Sequence, residues 1–214
     1  MGCIEKFTYT PEFDKRFRYD GKDLGVLCTA EGTCFKVWSP LAERVVLRLY
    51  RDGAQPAYAE KEMFRDHAGV WCWKTESYLH GKYYDYAVWF DSGMTVTADP
   101  YAVSCSCNGE RSMVLDLERT DPEGFAQEKA PEPEKENIIY ELHIKDFSFD
   151  PQSKIPEEYR GKYKAFTVAG QGGENPTCME YLKKLGITHV QLLPFCDYGA
   201  LDEAGDDRQF NWGY

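Results

Sequence analysis

Short runs of alternating apolar and polar residues dominate the first half of the chain. The alternation puts Val45, Leu47 and Leu49 on one face of a strand, and Asp52-Gly53 and Asn108-Gly109 are turn signals. Runs of this kind predict an antiparallel, immunoglobulin-like β-sandwich of roughly seven strands. The clearest predicted strands span residues 33–39, 44–51, 70–76 and 83–90, and shorter ones span 94–98 and 112–117.

A second region follows a change in composition. Residues 126–137 alternate Pro, Glu and Lys without a large apolar side chain, which is typical of an extended surface segment. We therefore expect a sandwich over residues 1–128, a linker over 129–137 and a different fold over 138–214. Residues 138–144 (IIYELHI) predict a strand buried on both sides, and residues 188–194 (THVQLLP) predict a second apolar strand.

A helix is predicted between these two strands. Asn175 is the candidate N-cap, Pro176 suits the first helical position, and Gly186 suits the C-terminal cap. Lys183 and Lys184 suit the last turn. The predicted apolar face consists of Met179, Leu182 and Leu185.

Strand, helix and strand make a parallel β-α-β unit, which is not a finished fold because its edges and faces lack cover. We expect the start of a larger α/β domain, either a (β/α)8 barrel or an open sheet. Ligands bind at the carboxyl ends of the strands in both folds. This predicts a site at residues 146–174, 195–200 and 202–214, and an exposed apolar surface around Val190, Leu192 and Leu193.

Composition and charge exclude several classes of protein. An apolar content of 43% with 15% aromatics argues against a disordered chain, and a net charge of −11 disfavours a nucleic-acid partner. No apolar run approaches the length of a membrane span, and no export signal is recognised. We interpret the eight cysteines as reduced thiols, which predicts a cytoplasmic protein without a metal or other cofactor.

Several residue groups are candidates for chemistry, each with a structural alternative. The run QFNWGY offers the aromatic faces and polar groups that a sugar needs, although its aromatics Phe210, Trp212 and Tyr214 favour packing over the end of the sheet. His143 and Asp146 favour a hydrogen-bonded structural pair over an acid–base pair. Acidic residues 202–207 favour a solvated loop over a calcium site. Trp71, Trp73 and Trp89 favour core packing over a sugar platform.

These residues resemble a known family across nearly the whole chain. Ile138–Ser148 (IIYELHIKDFS) is similar to the first barrel strand of type I pullulanases, in the α-amylase superfamily, and GKYKAFT and HVQLLPF continue the match. The run Phe210-Asn-Trp-Gly-Tyr214 resembles the family signature Tyr-Asn-Trp-Gly-Tyr-Asp-Pro, with Phe210 in place of the first Tyr. The stretches FKVWSP, GKYYDYAV and DPYA resemble a family 48 carbohydrate-binding module.

The resemblance implies a debranching glycoside hydrolase that cleaves α-1,6 linkages of starch, glycogen or pullulan with retention. Its Asp nucleophile and Glu acid/base would fall beyond Tyr214, so we expect no catalytic residue and no activity in this chain alone. Tyr214 matches the aromatic that stacks on the sugar, with Asn211 and Trp212 beside it. An isoamylase, a branching enzyme and a non-catalytic α-glucan-binding module remain alternatives. Oligomeric state and a calcium requirement of a longer enzyme stay open.

Overall fold

The computed structural model describes residues 10–129, 131–132, 136–168, 173–193, 195, 199, 201–206 and 208–211. Contacts divide the chain into two units, Met1–Ala126 and Gln127–Tyr214. The predicted linker, residues 129–137, lies partly outside the described residues, and its role stays a prediction. Within the ranges just given, no helix is both long and apolar enough to cross a bilayer.

The first unit consists of two antiparallel sheets around one core. One sheet has the strand order β1-β2-β6-β5, and the other has the order β4-β3-β7-β8 with β9 paired to β7. The two-sheet arrangement expected from the alternation is therefore present. The strands are β1 (Gly25–Thr29), β2 (Gly32–Trp38), β3 (Arg44–Tyr50), β4 (Ala59–Glu62), β5 (Phe64–Arg65), β6 (Val70–Thr75), β7 (Tyr83–Phe90), β8 (Gly93–Thr97) and β9 (Ser112–Met113).

The core lies between the inner faces of these sheets, as the period of two predicts. Phe35 of β2 and Tyr84 of β7 are both fully buried and meet edge to face, with their ring centroids 5.0 Å apart. Leu47 of β3 belongs to the same cluster. The inner residues of both sheets therefore close a single apolar interior.

A short helix, α1 (Pro11–Phe17), precedes the sandwich and was not predicted. Thr10 caps it, because its hydroxyl oxygen accepts a hydrogen bond from the Phe13 backbone N–H at 3.2 Å. Phe13 and Phe17 are buried, and the Phe13 ring lies 6.2 Å from that of Trp38. The helix therefore covers one end of β2.

The second unit contains the predicted β-α-β order. Strand β10 (Ile139–Leu142) pairs in parallel with β11 (His189–Leu192), and α2 (Cys178–Leu185) lies between them in sequence. The segment after β10 forms three 3-10 turns, Pro151–Ser153, Glu157–Tyr159 and Tyr163–Thr167. A small core of Ile155, Ala165 and Cys178 stabilises this segment.

The start of α2 differs from the prediction. Thr177, not Asn175, occupies the N-cap position, and Pro176 precedes the helix. The Thr177 hydroxyl donates to the Ser153 backbone carbonyl at 2.5 Å, which ties the helix start to the preceding loop. The predicted C-cap is confirmed, because Gly186 has φ 72° and donates its N–H to the carbonyls of Leu182 and Lys183.

The apolar face of α2 also differs from the prediction. Cys178 and Leu182 are buried, one helical turn apart, whereas Leu185 is 44% exposed. The buried stripe therefore starts one residue before the predicted one, because Cys178 joins the small core of the preceding loop.

Burial on both sides, predicted for the first parallel strand, is wrong, and the second strand is exposed as well. Ile139 is 65% exposed and Val190 is 41% exposed, while Leu142 is buried. A two-stranded sheet with one helix has too little surface to cover both of its faces. The predicted exposed apolar surface is confirmed at Val190, whereas Leu192 and Leu193 are half-buried.

Candidate functional site

A cleft of about 200 Å³ lies in the second unit, where the loop after β10 meets the run 201–209. Two of the three segments predicted to form a site therefore come together. Most of the third segment, residues 195–200, lies outside the described residues. The cleft is lined by Lys145, Phe149, Arg160, Gly161, Lys162, Leu201, Asp202, Glu203, Gly205, Asp206 and Gln209.

Lys145 joins the two segments. Its ammonium group donates a hydrogen bond to the backbone carbonyl of Gln209 at 2.6 Å and lies 4.9 Å from the centre of the Phe149 ring. A charged donor on a carbonyl gives a stronger bond than a neutral pair. The lysine therefore fixes the run 202–209 beside the carboxyl end of β10.

Gly161 lies close to Phe149 and Lys145 within the loop after β10. Its φ is +70°, and a Cβ atom there would lie 3.1 Å from the Phe149 ring and 3.4 Å from Cγ of Lys145. Ser148 holds the same turn, since its hydroxyl oxygen accepts the Gly161 N–H at 2.9 Å. A glycine is therefore favoured where this turn packs against Phe149 and Lys145 of the same loop.

Two carboxylates of the cleft, those of Asp202 and Asp206, accept hydrogen bonds from backbone N–H groups close to them in sequence. Asp202 accepts the Ala204 N–H at 3.1 Å, and Asp206 accepts the Arg208 N–H at 2.8 Å. Hydrogen bonds from the Arg208 side chain and backbone hold the pKa of Asp206 below its usual range. An acid catalyst for glycoside cleavage needs a raised pKa, so Asp206 does not suit that role.

Of the predicted sugar-binding residues, Asn211 alone is described. It is half-buried and follows Gln209, which lines the cleft, by two positions. Trp212 and Tyr214 lie outside the described residues. Phe210 is 72% exposed, which contradicts the interpretation that it packs over the sheet.

Lys145 and Gln209 were missed by sequence reasoning. Both residues stand inside runs that were noticed, but neither type of side chain signals a contact between the two runs. The structure reveals the contact because Lys145 is half-buried shortly after β10, and the burial of a lysine cannot be read from the sequence.

His143 and Asp146 form the predicted structural pair. The Asp146 carboxylate lies 3.3 Å from Nδ1 of His143, and the Asp146 N–H donates to the same nitrogen at 3.4 Å. His143 is buried, whereas the Asp146 side chain is 80% exposed. The pair closes the turn after β10.

The tryptophans of the sandwich pack rather than form a platform. Trp71 is buried and donates its indole N–H to the Ser39 carbonyl at 3.0 Å, and Trp73 packs against Phe35. Trp89 lies on the other sheet, where the Arg44 guanidinium covers its ring at 4.3 Å. The favoured interpretation, packing, is confirmed for Trp71 and Trp73.

Two polar clusters in the sandwich are fully paired. Arg48 makes two hydrogen bonds of 2.7 Å to the buried carboxylate of Asp85, which also accepts the Tyr50 hydroxyl at 2.9 Å. Burial and the bond to Asp85 raise the pKa of Tyr50 to about 12. These groups stabilise the outer face of the second sheet and are not available to a ligand.

The second cluster surrounds Asp99. Its carboxylate accepts the Tyr84 hydroxyl at 2.8 Å and the Tyr101 N–H at 2.9 Å. Burial raises the pKa of Asp99. In the part of the chain that the structure describes, no three His, Cys, Asp or Glu side chains converge on a metal position.

Comparison with family models identifies the first unit. Residues 23–102 match the family described as carbohydrate-binding module 48 (isoamylase N-terminal domain). The matched region spans β1 to β8, and so covers most strands of both sheets.

Known proteins match both units together. The chain is 34% identical over 210 residues to a pullulanase of Bacillus subtilis (strain 168), which covers 96% of this chain and 28% of that protein. The crystal structure of apo pullulanase from Paenibacillus barengoltzii has a TM-score of 0.89 at 36% identity, over 96% of this chain and 32% of that one. The same enzyme in complex with maltohexaose and α-cyclodextrin has a TM-score of 0.83, over 89% and 30% of the two chains. This chain thus spans about a third or less of the relatives that it matches.

Proposed function

Because this chain belongs to the pullulanase family, we propose that it is the N-terminal part of a debranching enzyme that hydrolyses α-1,6-glucosidic linkages in α-glucans with retention. The single observation that carries this proposal is a match to pullulanases through both units rather than through the module alone. The isoamylase and branching-enzyme alternatives share the module but have no better support. Starch, glycogen and pullulan are the substrates proposed for the whole enzyme.

We further propose that the second unit is the first β-α-β unit of a (β/α)8 barrel. Parallel pairing of β10 with β11 in the register Ile139↔His189 to Leu142↔Leu192 supports this. So does the exposure of Ile139 and Val190, which further strands and helices would cover. The cleft lies beside the carboxyl end of β10, where barrel enzymes bind their ligands.

Within that barrel, Tyr214 is the proposed sugar-stacking residue, with Asn211 and Trp212 beside it. The hydrogen bond between Lys145 and Gln209 supports this proposal, because it holds the preceding run at the strand ends. The nucleophile and the acid/base belong to later barrel strands of the family, so we expect this chain alone to release no reducing sugar from pullulan.

A chimera tests the enzymatic proposal. This chain replaces the matching region of the Bacillus subtilis pullulanase, and reducing ends are measured on pullulan. We expect activity, together with a strong loss for Tyr214→Ala and little change for the matched aromatic control Phe210→Ala. A folded chimera that transfers chains without forming reducing ends would favour a branching enzyme, and a folded chimera without any activity would contradict the proposal.

A cytoplasmic location is also proposed. Among the described residues, Cys28, Cys34, Cys72 and Cys178 carry free thiols, as a reducing compartment allows. Fractionation of the source cells tests it, and recovery from the medium or the cell surface would contradict it.

A further inference from the structure

An aromatic pair stands on the loop between β6 and β7 of the module. Tyr78 and His80 stack with their ring centroids 5.8 Å apart and their planes 25° from parallel. We propose that Tyr78, His80 and Arg119 form a binding site for an unbranched α-1,4-glucan segment. This inference rests on the proposed glucan-binding function and adds the position of the site.

The Tyr78 ring is held in place before any ligand arrives. Its hydroxyl donates to Oδ2 of Asp116 at 2.9 Å and accepts from Nη1 of Arg119 at 3.3 Å. The side chain is nevertheless 40% exposed. A fixed and exposed aromatic ring loses little conformational entropy on binding, which favours affinity.

His80 presents an unused donor beside that ring. Its Nδ1 accepts the backbone N–H of Asp116 at 3.0 Å, so the proton of the neutral ring is on Nε2. Among the described residues, the structure gives the His80 side chain this one hydrogen bond, which leaves the Nε2–H to a ligand. Arg119 is exposed and uses only Nη1 on Tyr78, which leaves its other N–H groups to a ligand.

The chemistry of this surface fits a sugar better than an ion. Asp116 is buried and lies beside Arg119, so its carboxylate offsets the positive charge. What remains is an apolar ring face bordered by N–H donors. A glucose unit offers the complement, a C–H face for the ring and hydroxyl oxygens that accept hydrogen bonds. Leu117, which follows Asp116 in sequence, is also exposed (57%).

The full chain tests the site with maltohexaose as the probe, by isothermal titration. We expect binding by the unmodified chain, about tenfold weaker binding by Tyr78→Ala, and a smaller loss for Tyr78→Phe, which keeps the ring but not the hydrogen bonds of its hydroxyl. Tyr101→Ala is the matched control, because Tyr101 is also 40% exposed on the same module. Thermal unfolding of each variant verifies its fold.

Nuclear magnetic resonance on the unmodified chain is independent of folding in the variants. We expect maltohexaose to shift the His80 ring signals and the Arg119 guanidinium signals. Equal binding by Tyr78→Ala and the unmodified chain, or equal losses for the Ala and Phe variants, would overturn the site but leave glucan binding intact. Absence of binding by the unmodified chain would instead contradict the glucan-binding function itself.

Discussion

The ammonium group of Lys145 donates a 2.6 Å hydrogen bond to the backbone carbonyl of Gln209, a residue 64 positions further along the chain. Lys145 stands just after β10, and Gln209 stands just before Asn211. Gln209 also closes its own turn, because its side-chain amide donates to the Asp202 carbonyl at 2.9 Å and accepts the Asp202 N–H at 3.2 Å. One lysine therefore positions a preformed turn at the end of a strand.

Lys145→Met should release that turn while keeping the length of the side chain. Loss of a charge-assisted bond costs about 1.5 kcal/mol, so the amides of residues 202–209 should exchange hydrogen roughly tenfold faster. Hydrogen exchange with mass spectrometry measures this. Lys164→Met, at an exposed lysine outside the cleft, should leave those amides unchanged. Equal exchange in both variants would show that the turn does not depend on Lys145.

Gly161→Ala should destabilise the second unit more than Gly186→Ala. The two glycines have nearly equal φ values, +70° and +72°, but only Gly161 has neighbours within 4 Å of an added Cβ. The left-handed conformation alone costs an alanine about 1 kcal/mol at either position. Contact with Phe149 and Lys145 adds to that cost at Gly161.

Limited proteolysis of the two glycine variants, with fragments assigned by mass spectrometry, measures this difference. Faster cleavage within residues 147–168 is expected for Gly161→Ala. Similar cleavage rates for both variants would mean that the loop accommodates the added methyl group.

Alternation in the sequence predicts much of the sandwich because each inward face is built from consecutive odd or even positions. Val45, Leu47 and Leu49 are buried as their spacing requires. The alternation does not reveal β4, whose sequence AEKE carries three charges. Backbone hydrogen bonds pair that strand with β3, in the register Val46↔Glu62 to Leu49↔Ala59. Backbone pairing does not require a particular type of side chain, so the sequence does not show it.

In the candidate cleft, too, contacts to backbone atoms cannot be predicted from the sequence. The order of β10, loop, α2 and β11 is readable from apolar runs and a C-terminal glycine. The bond from Lys145 ends on a backbone carbonyl, which every residue at position 209 would supply. Thr177 likewise uses its hydroxyl on the Ser153 carbonyl instead of capping its own helix, so the residue before it was mistaken for part of the helix.

Arg48→Met should cost the module about 3 kcal/mol of unfolding free energy, because it leaves the buried carboxylate of Asp85 without its cation. Arg44→Met is the matched control on the same strand, since Arg44 pairs with Glu62 at the exposed surface. That change should cost less than about 1 kcal/mol. Urea unfolding followed by tryptophan fluorescence compares them. Equal losses of unfolding free energy in the two variants would show that burial of the Arg48–Asp85 ion pair does not increase its contribution to stability.

Asp99 should make the stability of the module fall as the pH rises. Burial raises its pKa in the folded protein above its ordinary value of 3.8, so the folded state binds this proton more tightly than the unfolded state. The contribution of Asp99 is fully present below pH 3.8 and is lost as the pH rises through the folded pKa. Asp99→Asn cannot ionise, yet its amide oxygen can accept the Tyr101 N–H and its amino group can donate to the Tyr84 oxygen. The free energy of unfolding of the unmodified chain, measured relative to Asp99→Asn from pH 3.5 to 7, should therefore decrease. An increase over that range would show that hydrogen bonding to the carboxylate outweighs its burial.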